Sequence, residues 1–575
     1  MASDGSVTDL SAGGARMLTV RRRFTIVGLE AWPMIVVIFS VLIALSSISR
    51  SVWSGVLLYN GDSLVLPLLQ QSILRGDSLH FVSSSQLFLF PEAPLFLISS
   101  VIGVTVRGSL IVNAVLNVVA MYAMFRIIAH FLAHRSRHRF LEITIALIAT
   151  VLFVIFVLLE PNARVNFSGL ATPLLTTTYY YGVILSGLAT VALTLWVSRT
   201  FGNTGVTVRR VGVYAIITVI LATLTTFSNP LFIFQVFAPL FGALAILLFC
   251  GRISWKRFVV LAGFNAVGIV IGMVLRQVFG WLFPITLKSY LSLKGIPLSV
   301  DQLRATIAEL SHSSSGTLKL LLVAGLIVLT IAILVYALYA QARPRLASRI
   351  THEDLFIVGF VSISSVSLPI GMIATGSATT RYLEPMMVFP LLTGLAIGVY
   401  VLRRMLLEVK STDLRRNLSR FSVGIVGLFS VLLIVVGAVN IPPVIRMADG
   451  VGYSGARCFD NFIRDSRANG VGSFWSTRPL ELYGSEKGEV LQVDSNLQPF
   501  QWMINVGAYK NKSFSYVVVD GTLGITPKVL QKTLGSPARV VGCDGFSIYD
   551  YRGTAGATKL TSIIRTTVAS ILSQS

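Results

Sequence analysis

Three acids interrupt the stretch "YNGDSLVLPLLQQSILRGDSLHFVSSSQLFLFPEAPLF": Asp62, Asp77 and Glu92. A carboxylate at the edge of an apolar segment can take a proton from a hydroxyl when it sits within hydrogen-bond reach in a partly dry site. A blander reading competes for each. Asp62 or Ser63 could cap a helix over "LVLPLLQQSIL", after an Asn60-Gly61 turn. Asp77 follows Gly76 in an ordinary turn, and Glu92, between two prolines, could simply open a helix. Cations are the natural complement, because an anionic leaving group needs positive charge. Arg276 in "GMVLRQVFGW" reads as an intramembrane arginine about two turns below the end of its span, functional or else snorkelling to headgroups. Lys288 and Lys294 follow it. Arg381, Tyr382 and Glu384 share the short connection "TGSATTRYLEPMMVFP", where an Arg381–Glu384 pair and an aromatic-belt Tyr382 are the alternatives.

Further along the chain, Trp475, Tyr483, Trp502 and Tyr509 could stack on sugar rings, and core packing explains them as well. "TTTYYYG" (176–182) reads as an interfacial aromatic belt. Glu160, Arg164, Asn166, His80 and Gln86 are weaker polar candidates. There is no Cys/His spacing for zinc and no phosphate-binding glycine loop between a strand and a helix. The metal requirement is therefore left open, with a divalent cation as one option.

The elements that must position these residues follow from composition. The 575 residues are 54% hydrophobic and only 13% charged, against about a quarter for soluble domains. That deficit is what lipid-facing surface produces, so the class is a polytopic α-helical membrane protein. About eleven spans are readable, near 31–49, 109–131, 141–160, 178–198, 211–228, 231–250, 258–283, 317–340, 355–374, 386–402 and 421–440. The net charge of +22 sits in alternate connections: "RRRF" before the first span, then "HRSRHR", "RTFGNTGVTVRR", "GRISWKR", "ARPRLASR" and "RRMLLEVKSTDLRRNLSR". This positive-inside pattern argues against nucleic acid as partner, sets the N-terminus in the cytoplasm and sends the C-terminal region outside the plasma membrane.

Three regions result. Residues 1–24 form a cytoplasmic tail whose first twenty residues should be disordered. Residues 25–440 form the membrane domain, with an uncleaved first span and long outer loops at 50–108 and 285–316. In these loops 63–74 and 94–106 are too short to cross, and Ser299 or Asp301 should start a surface helix. Residues 441–575 read as an extracytoplasmic α/β domain. Its expected strands include "VGSFWST", "GEVLQVDS", "FSYVVVDG" and "ARVVGCDGFSIYDYR". Its expected helices are "RCFDNFIRDSRANG", ended by Gly470, and "TPKVLQKTLG". Cys458 and Cys543 both lie here and could pair if the domain faces an oxidising space.

An acid just after the first span ("NGDS"), surface helices in the first outer loop, many spans and an outer C-terminal domain together resemble the GT-C superfamily of integral membrane glycosyltransferases, which use polyprenyl-phosphate sugars. The resemblance implies Asp62 as general base on the acceptor, with Glu92 ("FPEAP") as support or metal contact. "RYLEP" is similar to an element of such enzymes whose Arg meets the donor phosphate. It implies Arg381 and Tyr382, with Arg276 and Lys288, as phosphate ligands. It also implies a cell-envelope glycan, lipid or protein as acceptor, with Trp475 and Trp502 as possible acceptor contacts. The alternatives are a transporter or flippase of an amphipathic lipid, and a non-catalytic envelope scaffold. No internal repeat is evident for the first, and eleven spans are many for the second.

Overall fold

The computed structural model describes residues 9–133, 139–160, 162–163, 169–200, 208–284, 292–341, 350–408, 412–450, 453–464, 468–484 and 489–573; side chains at 9–27, 200 and 402–422 lie outside that description. The chain opens with α1 (Asp9–Ile48), α2 (Trp53–Tyr59), α3 (Val65–Leu74), α4 (Glu92–Gly103), α5 (Val106–Leu132), α6 (Arg139–Leu158), α7 (Tyr181–Thr200) and α8 (Val208–Ser228). It continues with α9 (Ala238–Phe249), α10 (Trp255–Val278), α11 (Ile296–Ser311), α12 (Ser314–Gln341), α13 (His352–Thr375), α14 (Phe389–Glu408) and α15 (Thr412–Val439). The C-terminal region adds α16 (Ile441–Asp449), α17 (Ser454–Ile463), α18 (Phe474–Tyr483), α19 (Pro527–Leu534) and α20 (Ala555–Ser573).

Among the described residues, ten helices are long and apolar enough to cross a membrane. The segment expected at 231–250 is shorter, a π turn Ile233–Phe237 running into α9. Seventeen residues at about 1.5 Å each still reach about 25 Å, the lower limit for a span. At one end Ser228 bonds the first loop through Leu87 and Leu89, and at the other Arg252 bonds Gln341 at the far end of α12. The described residues thus hold ten candidate spans and this shorter apolar segment, where the sequence suggests eleven spans. Helices α12 and α15 expose long apolar faces, with only 17% and 11% of their apolar windows buried. Such rims suit contact with lipid tails.

Several expectations are corrected. Helix α1 begins at Asp9, so the first twenty residues are not uniformly irregular. Neither Asp62 nor Ser63 caps α3: the helix starts at Val65, and the Ser63 hydroxyl donates to the Val56 carbonyl. Helix α11 starts at Ile296, where Pro297 suits the first turn; the Ser299 hydroxyl instead accepts from Ala378 N–H. Gly470 lies in a strand, and "FWST" opens α18 rather than ending a strand. Lys288, Arg164 and Asn166 lie outside the described residues.

The C-terminal region builds one mixed sheet. Strands Asn469–Gly472 (β2), Val490–Gln492 (β3), Phe514–Val519 (β5), Arg539–Cys543 (β6) and Phe546–Asp550 (β7) lie in the order β3-β2-β5-β7-β6. The first three are parallel, with Val471 opposite both Leu491 and Val517, and the last two close antiparallel. Alternation divides the core: Val517 and Val519 pack under α19 and α20, while Tyr516 and Val518 meet Phe459, Phe462 and Leu480. Cys458 and Cys543 form the disulfide that ties α17 to edge strand β6. A second, two-stranded sheet joins the domain to the membrane part: Phe81–Val82 (β1), from the first loop, pairs antiparallel with Ile504–Asn505 (β4).

Candidate functional site

The site lies where the first loop, two later bundle connections and the C-terminal domain meet. A cavity of about 170 Å³ is lined by Asp62, Ser84, Ser85, Gln86, Phe88, Thr178, Tyr179, Tyr180, Thr379, Arg381, Tyr382, Trp502 and Met503. At about 30 Å³ per water it has room for several small polar groups.

Asp62 is held by its neighbours' backbone. Its own carbonyl accepts from Thr178 Oγ1, the Ser63 carbonyl accepts from Thr177 Oγ1, and its N–H donates to Asn60 Oδ1. From above, Arg478 Nη1 of the C-terminal domain donates to the Gly61 carbonyl at 2.7 Å. A Cβ at Gly61 would collide with the Phe474 ring, so a larger residue there would have to displace that ring. The carboxylate thereby faces the cavity with its side chain 13% exposed.

Arg381 stands opposite. Its Nη1 is 3.5 Å from Asp62 Oδ2, and its guanidinium carbon lies 4.3 Å from the centre of the Tyr179 ring. At 3.5 Å the pair is longer than a tight charge-assisted bond of about 2.7–2.9 Å. Glu384 is fully buried, and neither carboxylate oxygen has a hydrogen-bond partner among the described residues. Deeper still, Glu160 accepts from the N–H groups of Leu170, Ala171 and Thr172, from Thr172 Oγ1, and from Lys319 Nζ at 2.6 Å. Lys319 carries no motif signal, and only the fold reveals it.

The tyrosines are the main surprise. Tyr179, Tyr180 and Tyr181 are buried rather than forming a belt. Tyr179 and Tyr180 adopt φ of 60° and 59°, a conformation rarely taken by bulky residues. Such strain costs of order 1–3 kcal/mol per residue and persists where surroundings enforce it. Burial and the nearby Asp62 charge push the Tyr179 phenol well above its ordinary range, so it stays neutral and donates to Asn60 Oδ1. Tyr180 packs edge-on against Tyr382 at 5.9 Å.

The remaining expected residues divide. Tyr382 and Trp502 line the cavity; Trp475 does not, standing 41% exposed at the start of α18. Glu92 lies beneath the α7 N-terminus, outside the cavity lining, where Oε1 accepts from Gly182 N–H. Gly182 leaves room for it, since a Cβ there would overlap the carboxyl group. Burial pushes Glu92 up to about 8, so it is a neutral acid at pH 7. Arg276 is in the last turn of α10, not two turns down. It donates to the carbonyls of Phe227 and Ser85, at 2.7 Å each, and stacks 3.8 Å from the Phe283 ring. It thus braces the cavity wall at Ser85. Among the described residues no three His, Cys, Asp or Glu side chains converge as metal ligands.

Sequence reading missed Arg478. It is 3% exposed and donates to Gly61 O, Gln492 Oε1, Trp502 O and Met503 O, bridging both walls of the cavity. Burial lowers it to about 10, still protonated at neutral pH. The phenol of Tyr483 reinforces the junction by donating to Leu58 O, and Asn505 Nδ2 donates to Ser72 Oγ. Phe474, Leu482 and Met503 are packed into the core of the bundle itself.

Fold and site define a polytopic helical membrane protein whose C-terminal α/β domain completes a polar cavity at one end of the bundle. A solved structure of ArnT from Cupriavidus metallidurans in the apo state is similar to this chain, with 12% identity and a TM-score of 0.45, covering 96% of this chain and 99% of that one. No protein-family model and no curated protein matches the sequence.

Proposed function

We propose that this protein is a membrane glycosyltransferase of the GT-C kind, moving a sugar from a polyprenyl-phosphate donor to a cell-envelope acceptor on the outer face. The observation that carries the reading is that Asp62 and Arg381, 3.5 Å apart, line one tyrosine-rich cavity. A base and an anion-binding group face each other there, in the two roles that transfer from a lipid phosphate requires. The acceptor hydroxyl attacks the anomeric carbon, its proton passes to the Asp62 carboxylate, and the bond from that carbon to the phosphate oxygen breaks. The departing polyprenyl phosphate gains charge, which the Arg381 fork stabilises. Gln86, Tyr180, Tyr382 and Trp502 supply aromatic faces and an amide for the sugar. The Cys458–Cys543 disulfide favours an extracytoplasmic domain, in agreement with the charge pattern of the connections. No step is routed through a metal.

The test is Asp62→Asn in purified protein with a membrane-derived lipid extract as donor. Asn keeps size and hydrogen bonding but cannot take the proton. Sugar transfer should fall roughly 100- to 10,000-fold with unfolding temperature unchanged. Transfer at the native rate would refute the assignment.

A further inference from the structure

Beside the cavity the C-terminal domain carries an aromatic surface that the transfer step does not use. Trp475 opens α18 at the end of strand β2 and is 41% exposed. Its ring stands edge-on to Phe474 at 4.6 Å. Phe474 meets Phe500 at 6.3 Å, and Phe500 lies parallel to Trp502 at 6.4 Å and 11°. Trp502 is itself a cavity wall shared with Asp62. Phe474 itself is buried, so it backs the exposed Trp475 and the half-buried Phe500, and Trp502 beyond them borders Asp62.

The loop bearing Phe500 and Trp502 is rigid and neutral on its outer side. Asp494 accepts from the N–H groups of Asn496 and Gln498, Val493 bridges Pro499, and Gln492 Nε2 donates to the carbonyls of Phe500 and Trp502 at 2.8 Å each. The Asp494 charge is occupied by its own loop. Ser495, Asn496 and Gln498 point outward, exposed and uncharged. Flat aromatic faces with amide and hydroxyl groups beside them match a sugar ring, which offers an apolar C–H face and a rim of hydroxyls. An acyl chain would leave these amides unpaired, and an anionic ligand would find no cation among these loop side chains.

We propose that Trp475, Phe500, Trp502, Asn496 and Gln498 form a subsite for a neutral saccharide chain, the acceptor, whose end enters the cavity past Trp502 to meet Asp62. The acceptor assignment rests on the glycosyltransferase reading; saccharide binding itself does not.

The experiment uses the full chain in phosphatidylcholine–phosphatidylglycerol nanodiscs, with maltohexaose, xylohexaose and a linear arabinofuranose hexamer as probes in saturation-transfer NMR. At least one probe should bind the wild type. Trp475→Ala should weaken it tenfold or more, Trp475→Phe less than threefold, and Gln498→Ala by an intermediate factor. Trp475 is exposed, so its variants should unfold at the wild-type temperature. Asp62→Asn should bind the probe as the wild type does. If binding holds and Asp62→Asn still transfers sugar, the catalytic reading fails while the subsite stands. The subsite is overturned if no probe binds or if Trp475→Ala binds unchanged. It is also overturned if brominated lipid quenches an emission that Trp475→Phe removes, because Trp475 would then face the bilayer.

Discussion

The bundle carries a polar cluster at each end, and the two are built differently. Away from the C-terminal domain, Arg126 pairs with Glu30 at 2.7 Å and Glu142 at 3.0 Å, and His130 meets Glu142 at 3.2 Å. Those contacts are short, each acid has a cation, and none of the four lines the site cavity. At the domain end the Asp62–Arg381 pair, at 3.5 Å, borders about 170 Å³ of space, and neither Glu384 carboxylate oxygen has a hydrogen bond among the described residues. An ion cluster packed between helices locks them together, whereas one that borders a cavity can also meet a ligand. The contrast separates structural charge from functional charge better than charge count does.

The comparison can be broken by substitution. Asp62→Asn carries the largest expected effect, the loss of transfer already described, with no change in stability. Arg381→Lys keeps the charge but loses the planar fork, so the donor KM should rise roughly tenfold while kcat changes less. Steady-state kinetics at varied donor concentration would reveal it, and an unchanged KM would remove Arg381 from the phosphate. At the other end, Arg126→Met should do the reverse. It leaves Glu142, 3% exposed, beside His130 alone. The unfolding temperature should drop by several degrees, roughly as for other broken buried pairs, with activity per folded molecule preserved. Loss of activity there without loss of stability would erase the distinction between the two ends.

The smallest effect concerns the junction. Glu481 of α18 sits 3.3 Å from Arg75, and burial pushes its carboxyl up to about 7. An acid raised in the folded state favours folding below its unfolded value, and that contribution is lost as pH climbs through the folded value. The unfolding temperature should therefore decline between pH 4.5 and pH 7, and Glu481→Gln should flatten that decline by roughly 2–4 °C. A thermal melt series across that window checks it.

Much of this was legible without coordinates. The spans follow from runs of apolar residues, and short uninterrupted runs make strands such as "FSYVVV" readable. Asp62, Arg381 and Tyr382 stand out because charge and aromaticity are conspicuous at a membrane edge, Trp502 stands out as an aromatic of the C-terminal domain, and all four line one cavity. Arg478 and Lys319 were invisible because nothing local marks them. The Gly61 carbonyl that Arg478 grips is 417 residues away, and the Glu160 that Lys319 pairs is 159 away. The tyrosine triplet was misread because a run of tyrosines looks the same at an interface and in a strained buried turn.

The sequence by itself determined the membrane class and the two-part plan, since these depend on local hydropathy and on charge between helices. Only the tertiary structure decided which charges meet and which border a cavity, because burial and pairing are properties of neighbours brought together from distant parts of the chain. It also decided that the C-terminal domain is part of the cavity: a guanidinium bridging Gly61 and Met503 has no counterpart in any local pattern.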